Sequence, residues 1–261
     1  MVFVDPDDWI LPDYCLGLYN LQAAYSGRGL VIQGMLCRRT DGTSLPSLSL
    51  PDRYLPFSSI GKSFAENNIC EMGYAVSKIY ARSIIEEFSI RFDENIHCLE
   101  DLLFMYQYLL HCDYLVLNHM QNYVYVKHSF SLSHRIHSFE SEYCCFVKYQ
   151  QLLAEMMKVW KIPAGDMVVT VNSMLVPFRR ALKSDYQPDR TIPREMRVKH
   201  LKRMISESRD VFLKYYHPVF KTDKLGKVLL GFNCYILYDF YIRLLFRLNI
   251  GPVFYGPKHM Y

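Results

Sequence analysis

No Cys-x-x-Cys pair occurs in this chain, although it holds eight cysteines, and no histidine pair at zinc-ligand spacing accompanies them. A structural zinc site and a dithiol redox motif are thereby excluded. A secretory leader is also missing from its start, so a cytoplasmic protein with reduced, buried thiols is expected, and a disulfide framework is not. The longest apolar segment, Val228 to Leu248, is interrupted by Asn233, Asp239, Arg243 and Arg247 and therefore fails as a clean membrane span. Internal repeats and low-complexity tracts are absent as well, which removes solenoids and polar tails.

What remains is a chain of 261 residues with 51% hydrophobic residues, enough to fill the core of a large domain, or of a domain with a helical appendage. Its formal charge of +4 hides an asymmetry, because residues 177–261 carry about seventeen Lys/Arg against about seven Asp/Glu. The earlier part is net acidic, so the two parts are expected to meet different partners.

The acids begin at once. Val2-Phe3-Val4 is a short run of β-formers that stops at Asp5-Pro6-Asp7-Asp8-Trp9. This reads as a buried strand delivering carboxylates to the rim where α/β folds keep their ligands. Asp-Pro-Asp-Asp is also good turn and helix-cap chemistry. Two acids at i and i+2 past a strand end can reach one hard divalent cation, Mn²⁺ or Mg²⁺, which would hold a diphosphate. The phosphatase and phosphomutase pattern of an apolar run and Asp-x-Asp wants Thr or Val four residues after the first Asp, where this chain has Trp9.

Further along, a helix-like segment from Leu11 to Ala24 and a buried strand over Leu30 to Leu36 give the α/β succession. Residues 37–60, with prolines 46, 51 and 56 among serines, read as a surface loop and a candidate lid. Ile79, Ile84, Ile85 and Phe88 suit a short helix packed on a sheet. Glu100-Asp101 then opens a helix whose Leu102, Leu103, Tyr106, Leu109 and Leu110 keep core-facing spacing. A helix N-terminus favours an ionised carboxylate, which suits a general base, although acids are common in first turns. Strands are expected at Tyr114–Leu117 and Tyr123–Lys127. In the turn after the latter, Lys127 and His128 can neutralise a leaving diphosphate or complete a metal shell, or simply be solvated. Beyond Ser133 the pattern is helical, around 138–160, 165–183, 195–216 and 225–248.

In order and spacing these segments resemble the second half of a family 2 glycosyltransferase, the bacterial polysaccharide-building type with a GT-A fold. The matching pieces are Phe3 to Trp9, like that family's strand and Asp-x-Asp; Ser77-Lys78-Ile79-Tyr80, like its Lys-Leu-Tyr segment; Ile90 to Glu94 leading to Glu100-Asp101; and Tyr123-Val124-Tyr125 running to Ser131-Leu132-Ser133. They cover roughly residues 1 to 133. The resemblance implies an incomplete GT-A portion at 1–135 and a helical region at 136–261. It implies Asp7 as direct metal ligand, with Asp5 nearer the ribose or a metal-bound water. Asp8, Lys127 and His128 would serve the donor diphosphate. Asp101 would be the base of an inverting displacement, with Glu100 orienting it or the acceptor, and Lys78 and Trp9 would lie on the acceptor side. A nucleotide-sugar donor and a glycan or lipid-linked acceptor are the implied partners.

Roughly ninety residues that carry most of the nucleotide pocket in that family have no counterpart here, so an N-terminally truncated enzyme with impaired activity is expected. The alternative is a non-catalytic remnant that binds a partner or a membrane. The basic, aromatic tail from 177 to 261 suits an anionic membrane surface, hence a possible peripheral location at the inner face of the cell membrane. No recognition module for nucleic acid accompanies the charge.

Overall fold

Gly29–Gln33 (β2) and Tyr114–Asn118 (β7) have every residue buried, and they pair in parallel, Leu30 opposite Leu115 and Ile32 opposite Leu117. A strand covered on both faces needs a continuous apolar run, which is what these segments supply. Arg53–Pro56 (β5) adds to β7 and Lys78–Tyr80 (β6) adds to β2, both antiparallel, giving the sheet order β5-β7-β2-β6. A second four-stranded sheet has the order β1-β8-β3-β4, from Trp9–Ile10 (β1), Tyr123–Lys127 (β8), Met35–Arg39 (β3) and Ser44–Leu48 (β4). The chain is described by a computed structural model over residues 1–66, 69, 72–128, 135–162, 167–187, 189–216, 218, 220–248 and 250.

Both sheets belong to the first of two compact units, formed by Met1–Glu94, Leu99–Leu132 and Gln151–Asp166. Helices Tyr14–Ala23 (α1), Phe57–Glu66 (α2), Arg82–Glu87 (α3) and Glu100–Leu109 (α4) complete its regular structure. In α4 seven of ten residues are buried, as the apolar spacing after Glu100-Asp101 requires. The second unit comprises Asn95–Cys98, Ser133–Gln150 and Met167–Tyr261. It contains most of Phe139–Trp160 (α5), then Met167–Ser184 (α6), Arg194–Tyr215 (α7), Lys221–Gly231 (α8) and Tyr235–Arg247 (α9).

Several expectations are corrected. Val2-Phe3-Val4 is not a strand. Met1 exchanges one pair of backbone hydrogen bonds with Tyr80, and the chain then leaves the sheet edge and turns, the Asp8 amide donating to the Asp5 carbonyl. What fixes the segment is Phe3, edge-on to Tyr80, Phe92 and Phe104 at 5.5–5.6 Å. The single strand expected over 30–36 divides at Gly34, where a Cβ would meet the Leu48 carbonyl at 2.5 Å, and the chain passes there from one sheet to the other. Residues 37–60 are not a loop but β3, β4, β5 and the start of α2; Pro46 and Pro56 sit on edge strands, where a missing N–H breaks no ladder. Ile79 lies in β6, ahead of α3. The apolar run over 225–248 is two helices, broken at Asn233 in the left-handed region at φ 58°.

Seven cysteines are free thiols, and Cys70, Pro163, Pro188, His217 and the Ser129–Ser133 end of the last matched segment lie outside the described residues. Among the described residues no helix is long and apolar enough to cross a membrane.

Candidate active site

Three of the opening carboxylates converge. Asp5, Asp7 and Asp8 each place one oxygen within 4.8 Å of the others. They are held by the sheet that β8 shares with β1. The buried Tyr123 hydroxyl donates to Asp8 Oδ2 at 2.6 Å and accepts from the Asp5 amide at 3.2 Å, and the Val126 amide donates to Asp8 Oδ1 at 2.8 Å. Just past β8, His128 Nε2 stands 3.1 Å from Asp7 Oδ2, an ion-pair distance without hydrogen-bond alignment. Lys127 ends the strand, exposed. Trp9, 42% exposed, pairs with Val124 in the same sheet.

The electrostatics separate the three acids. Asp8 is pushed up by burial, against which the Tyr123 and Val126 hydrogen bonds pull down. Asp5 has no donor on its carboxylate among the described residues and rises to about 6, first through burial and then through the charges of Asp101, Asp8 and Asp7. Asp5 thus feels the charge of Asp101, an acid far from it in sequence.

Asp101 lies in the first turn of α4, where the Ala75 amide donates to its Oδ2 at 3.2 Å. A helix N-terminus favours ionisation. Burial outweighs it: Asp101 also rises to about 6, with the neighbouring Glu100 charge adding to the rise and Lys78 opposing it. Lys78, expected on the acceptor side, is a core residue of β6. Its side chain is fully buried at 0% exposure, and its Nζ donates to the Tyr74 and Val76 carbonyls and lies 3.5 Å from the centre of the Tyr74 ring. Burial holds the Lys78 amine well below the ordinary lysine value.

Sequence reasoning missed Tyr123 as the clamp on the acids, and it missed the 74–78 turn behind Asp101. In that turn Ser77 sits at φ 59° and its hydroxyl is shared between the Gln33 and Gly34 carbonyls. No sequence signal marks the tyrosine, which reads as one more aromatic on an alternating strand. A non-glycine residue in the left-handed region is equally invisible before the backbone is known.

A cluster of carboxylate oxygens fits a hard divalent cation better than a soft one, because Mg²⁺ and Mn²⁺ take carboxylates and keep water or phosphate as remaining ligands. Comparison with known proteins bears on the fold. S. aureus TarS 1–349 in complex with UDP-GlcNAc matches with TM-score 0.60 and 16% identity, over 95% of this chain and 67% of that one. The same protein in complex with UDP matches at 0.57 and 16%, again over 95% and 67%. A further structure of S. aureus TarS matches at 0.52 and 15%, over 92% of this chain and 38% of that one. No protein-family model and no curated protein sequence matches. The likeness establishes the fold, a GT-A-like α/β domain followed by a helical region.

Proposed function

We propose that this chain transfers a sugar from a nucleotide-diphosphate donor in the manner of a family 2 glycosyltransferase. UDP-GlcNAc is the first donor to test, since a TarS structure of like fold holds it. The observation that supports the reading is the convergence of Asp5, Asp7 and Asp8, together with the rise of Asp5 to which the charge of Asp101 contributes.

In this reading Asp7 and Asp5 would hold Mn²⁺ or Mg²⁺, Asp7 as the direct ligand and Asp5 nearer the ribose or a water on the cation. The cation would supply charge neutralisation of the diphosphate. Asp8 has both oxygens engaged by Tyr123 and Val126, so it fixes the cluster and borders the donor. Lys127 and His128 offer positive charge to the departing diphosphate. Asp101 takes the proton of an acceptor hydroxyl, whose oxygen bonds to the anomeric carbon as the bond to diphosphate breaks on the opposite face. That attack inverts the carbon. At a pKa of about 6 the carboxylate is roughly nine-tenths ionised at pH 7, so it is both available and basic enough to work. Glu100 orients the base or the acceptor. Trp9 offers an exposed ring to a glycan or lipid-linked acceptor, while Lys78 acts through Asp101 and not on the acceptor.

Mn²⁺ binding followed by electron paramagnetic resonance, and UDP-GlcNAc binding by calorimetry with and without Mn²⁺, test this. Asp7→Asn should weaken Mn²⁺ and donor together, and Asp101→Asn should keep both while losing donor turnover. A wild-type chain that binds neither Mn²⁺ nor a UDP-sugar would refute the reading.

A further inference from the structure

The basic tail is less free than its composition suggests. Arg179 pairs with Asp223, Arg180 with Glu142, Arg197 with Asp239 and Arg203 with Glu140. These charges hold the helical unit together and are not offered to a partner. Subtracting them leaves a specific place. Arg194, Val198 and Lys202 stand four residues apart on one face of α7 and form one wall of a cleft of about 650 Å³. Ile236, Phe240 and Arg243 of α9 line the same cleft. Arg197, one position round the helix, donates to both oxygens of Asp239 at 2.6 and 2.9 Å and so pins α7 to α9. Among the described residues Asp239 is the one acid in the cleft wall, and it is buried and consumed by that pair. Among the described residues Arg194, Lys202 and Arg243 have no acidic partner.

The outer side of α9 is equally unusual. One face, with Tyr238, Ile242 and Leu245, is buried in the unit as an amphipathic helix requires. The opposite face is apolar too: Ile236, Leu237, Phe240, Leu244 and Leu248 are 41–62% exposed, at i, i+3 and i+4 spacing. A solvated helix has no use for that second row.

We propose that this face of α9, with the adjoining cleft, docks on an anionic lipid bilayer. The apolar row enters the acyl boundary, and Arg194, Lys202 and Arg243 take lipid phosphates, with room in the cleft for a headgroup. Charge complementarity selects this occupant. A second copy in a two-fold contact would set the same cationic rim against itself. A nucleic acid would satisfy the cations but leave the aliphatic members of the row in water. The proposal does not depend on the sugar-transfer reading, which concerns residues of the other unit.

The test is co-sedimentation of the full chain with neutral phosphatidylcholine vesicles and with vesicles containing phosphatidylglycerol, at low and high salt. Binding is expected only to the anionic vesicles and should fall with salt. Near such a surface each cation removed weakens binding about fivefold, so Arg194→Gln, Lys202→Gln and Arg243→Gln together should cost about a hundredfold. Phe240→Ser with Leu237→Ser, both solvent-facing, should also release the protein while leaving its circular dichroism unchanged. Equal binding to neutral and anionic vesicles, or variants that bind as the wild type does, would overturn the proposal. So would stabilisation by inorganic phosphate, lost in the triple variant, without vesicle binding, because the cleft would then serve a free phosphate. Self-association that Phe240→Ser abolishes, again without vesicle binding, would assign the face to a second copy and equally overturn it.

Discussion

Replacing Tyr123 by Phe removes one oxygen from the middle of the acidic cluster and little else. The ring is 0% exposed and packs 5.7 Å from Tyr14, so Phe fills the same space and the change is confined to the hydroxyl. Two partners lose it, Asp8 Oδ2 as acceptor and the Asp5 amide as donor. A hydrogen bond to a charged group nets about 1.5–3 kcal/mol, and partial access of water to Asp8 places this one toward the lower end, about 1.5–2 kcal/mol. For a chain of this size that is roughly 3–8 °C in melting midpoint. The effect has a pH signature. Tyr123 lowers the Asp8 pKa, because its hydrogen bond favours the ionised carboxylate. Losing that bond raises the folded-state pKa further, so the stability gap between wild type and variant is widest at pH 8 and narrows as pH falls and Asp8 protonates. Thermal melts at pH 8 and pH 5, with Mn²⁺ titrations at pH 8, provide the measurement. A variant that melts with the wild type at both pH values and binds Mn²⁺ equally well would show that Tyr123 does not hold the cluster.

Asp101 has a folded-state pKa of about 6 against an ordinary 3.8, so the native state binds more protons than the unfolded one between those values, and stability falls as pH rises from about 4 to about 6. Asp101→Asn should remove a penalty on the order of 2–3 kcal/mol, making the variant more stable than wild type in urea at pH 8, with no difference below pH 4. At Gly29 an added Cβ would lie 2.1 Å from the buried Tyr114 ring, so Gly29→Ala should cost about 1–3 kcal/mol in urea unfolding; a neutral result would mean that the ring has room to move. In the helical unit, Asp239→Ala strands the Arg197 guanidinium and should cost about 3–5 kcal/mol, seen as earlier proteolysis of α7 and α9; unchanged cleavage would show that the pair does not lock them.

The parts of the fold legible in the sequence are those whose pattern is set by local burial. Leu30 to Ile32 and Leu115 to Leu117 announce strands covered on both faces, and the spacing after Glu100 announces a core-facing helix. Patterns whose meaning depends on a distant partner were misread. Prolines 46 and 56 mark an edge strand as readily as a loop, and only the pairing of β4 with β3 and of β5 with β7 decides which. Val2 to Val4 has strand composition but exchanges hydrogen bonds with Tyr80 only through Met1. The acids of the candidate site are legible as residue types, since carboxylates cannot be disguised. Their geometry is not, because Asp8 is fixed from positions 123 and 126 and Asp101 from position 75. Lys78 shows the same limit: nothing in its sequence neighbourhood marks it as buried, and the charge that acts on it, Asp101, comes from α4.

Composition leaves Asp-Pro-Asp-Asp open between a cap or turn and a ligand site. A cap reading needs a helix to cap, yet α1 begins only at Tyr14, with Asp13 as its N-cap residue and no side-chain cap bond. The turn is real, closed by the Asp8 amide on the Asp5 carbonyl, but a turn needs at most one of three acids. Asp8 has its structural partners in Tyr123 and Val126, and Asp7 faces His128. Asp5 has neither, and its raised pKa records what it costs to hold a carboxylate there beside Asp7, Asp8 and Asp101. Selection for stability alone would favour an uncharged residue at that position, which is the cost that the proposed role of Asp5, a ligand for positive charge, would offset.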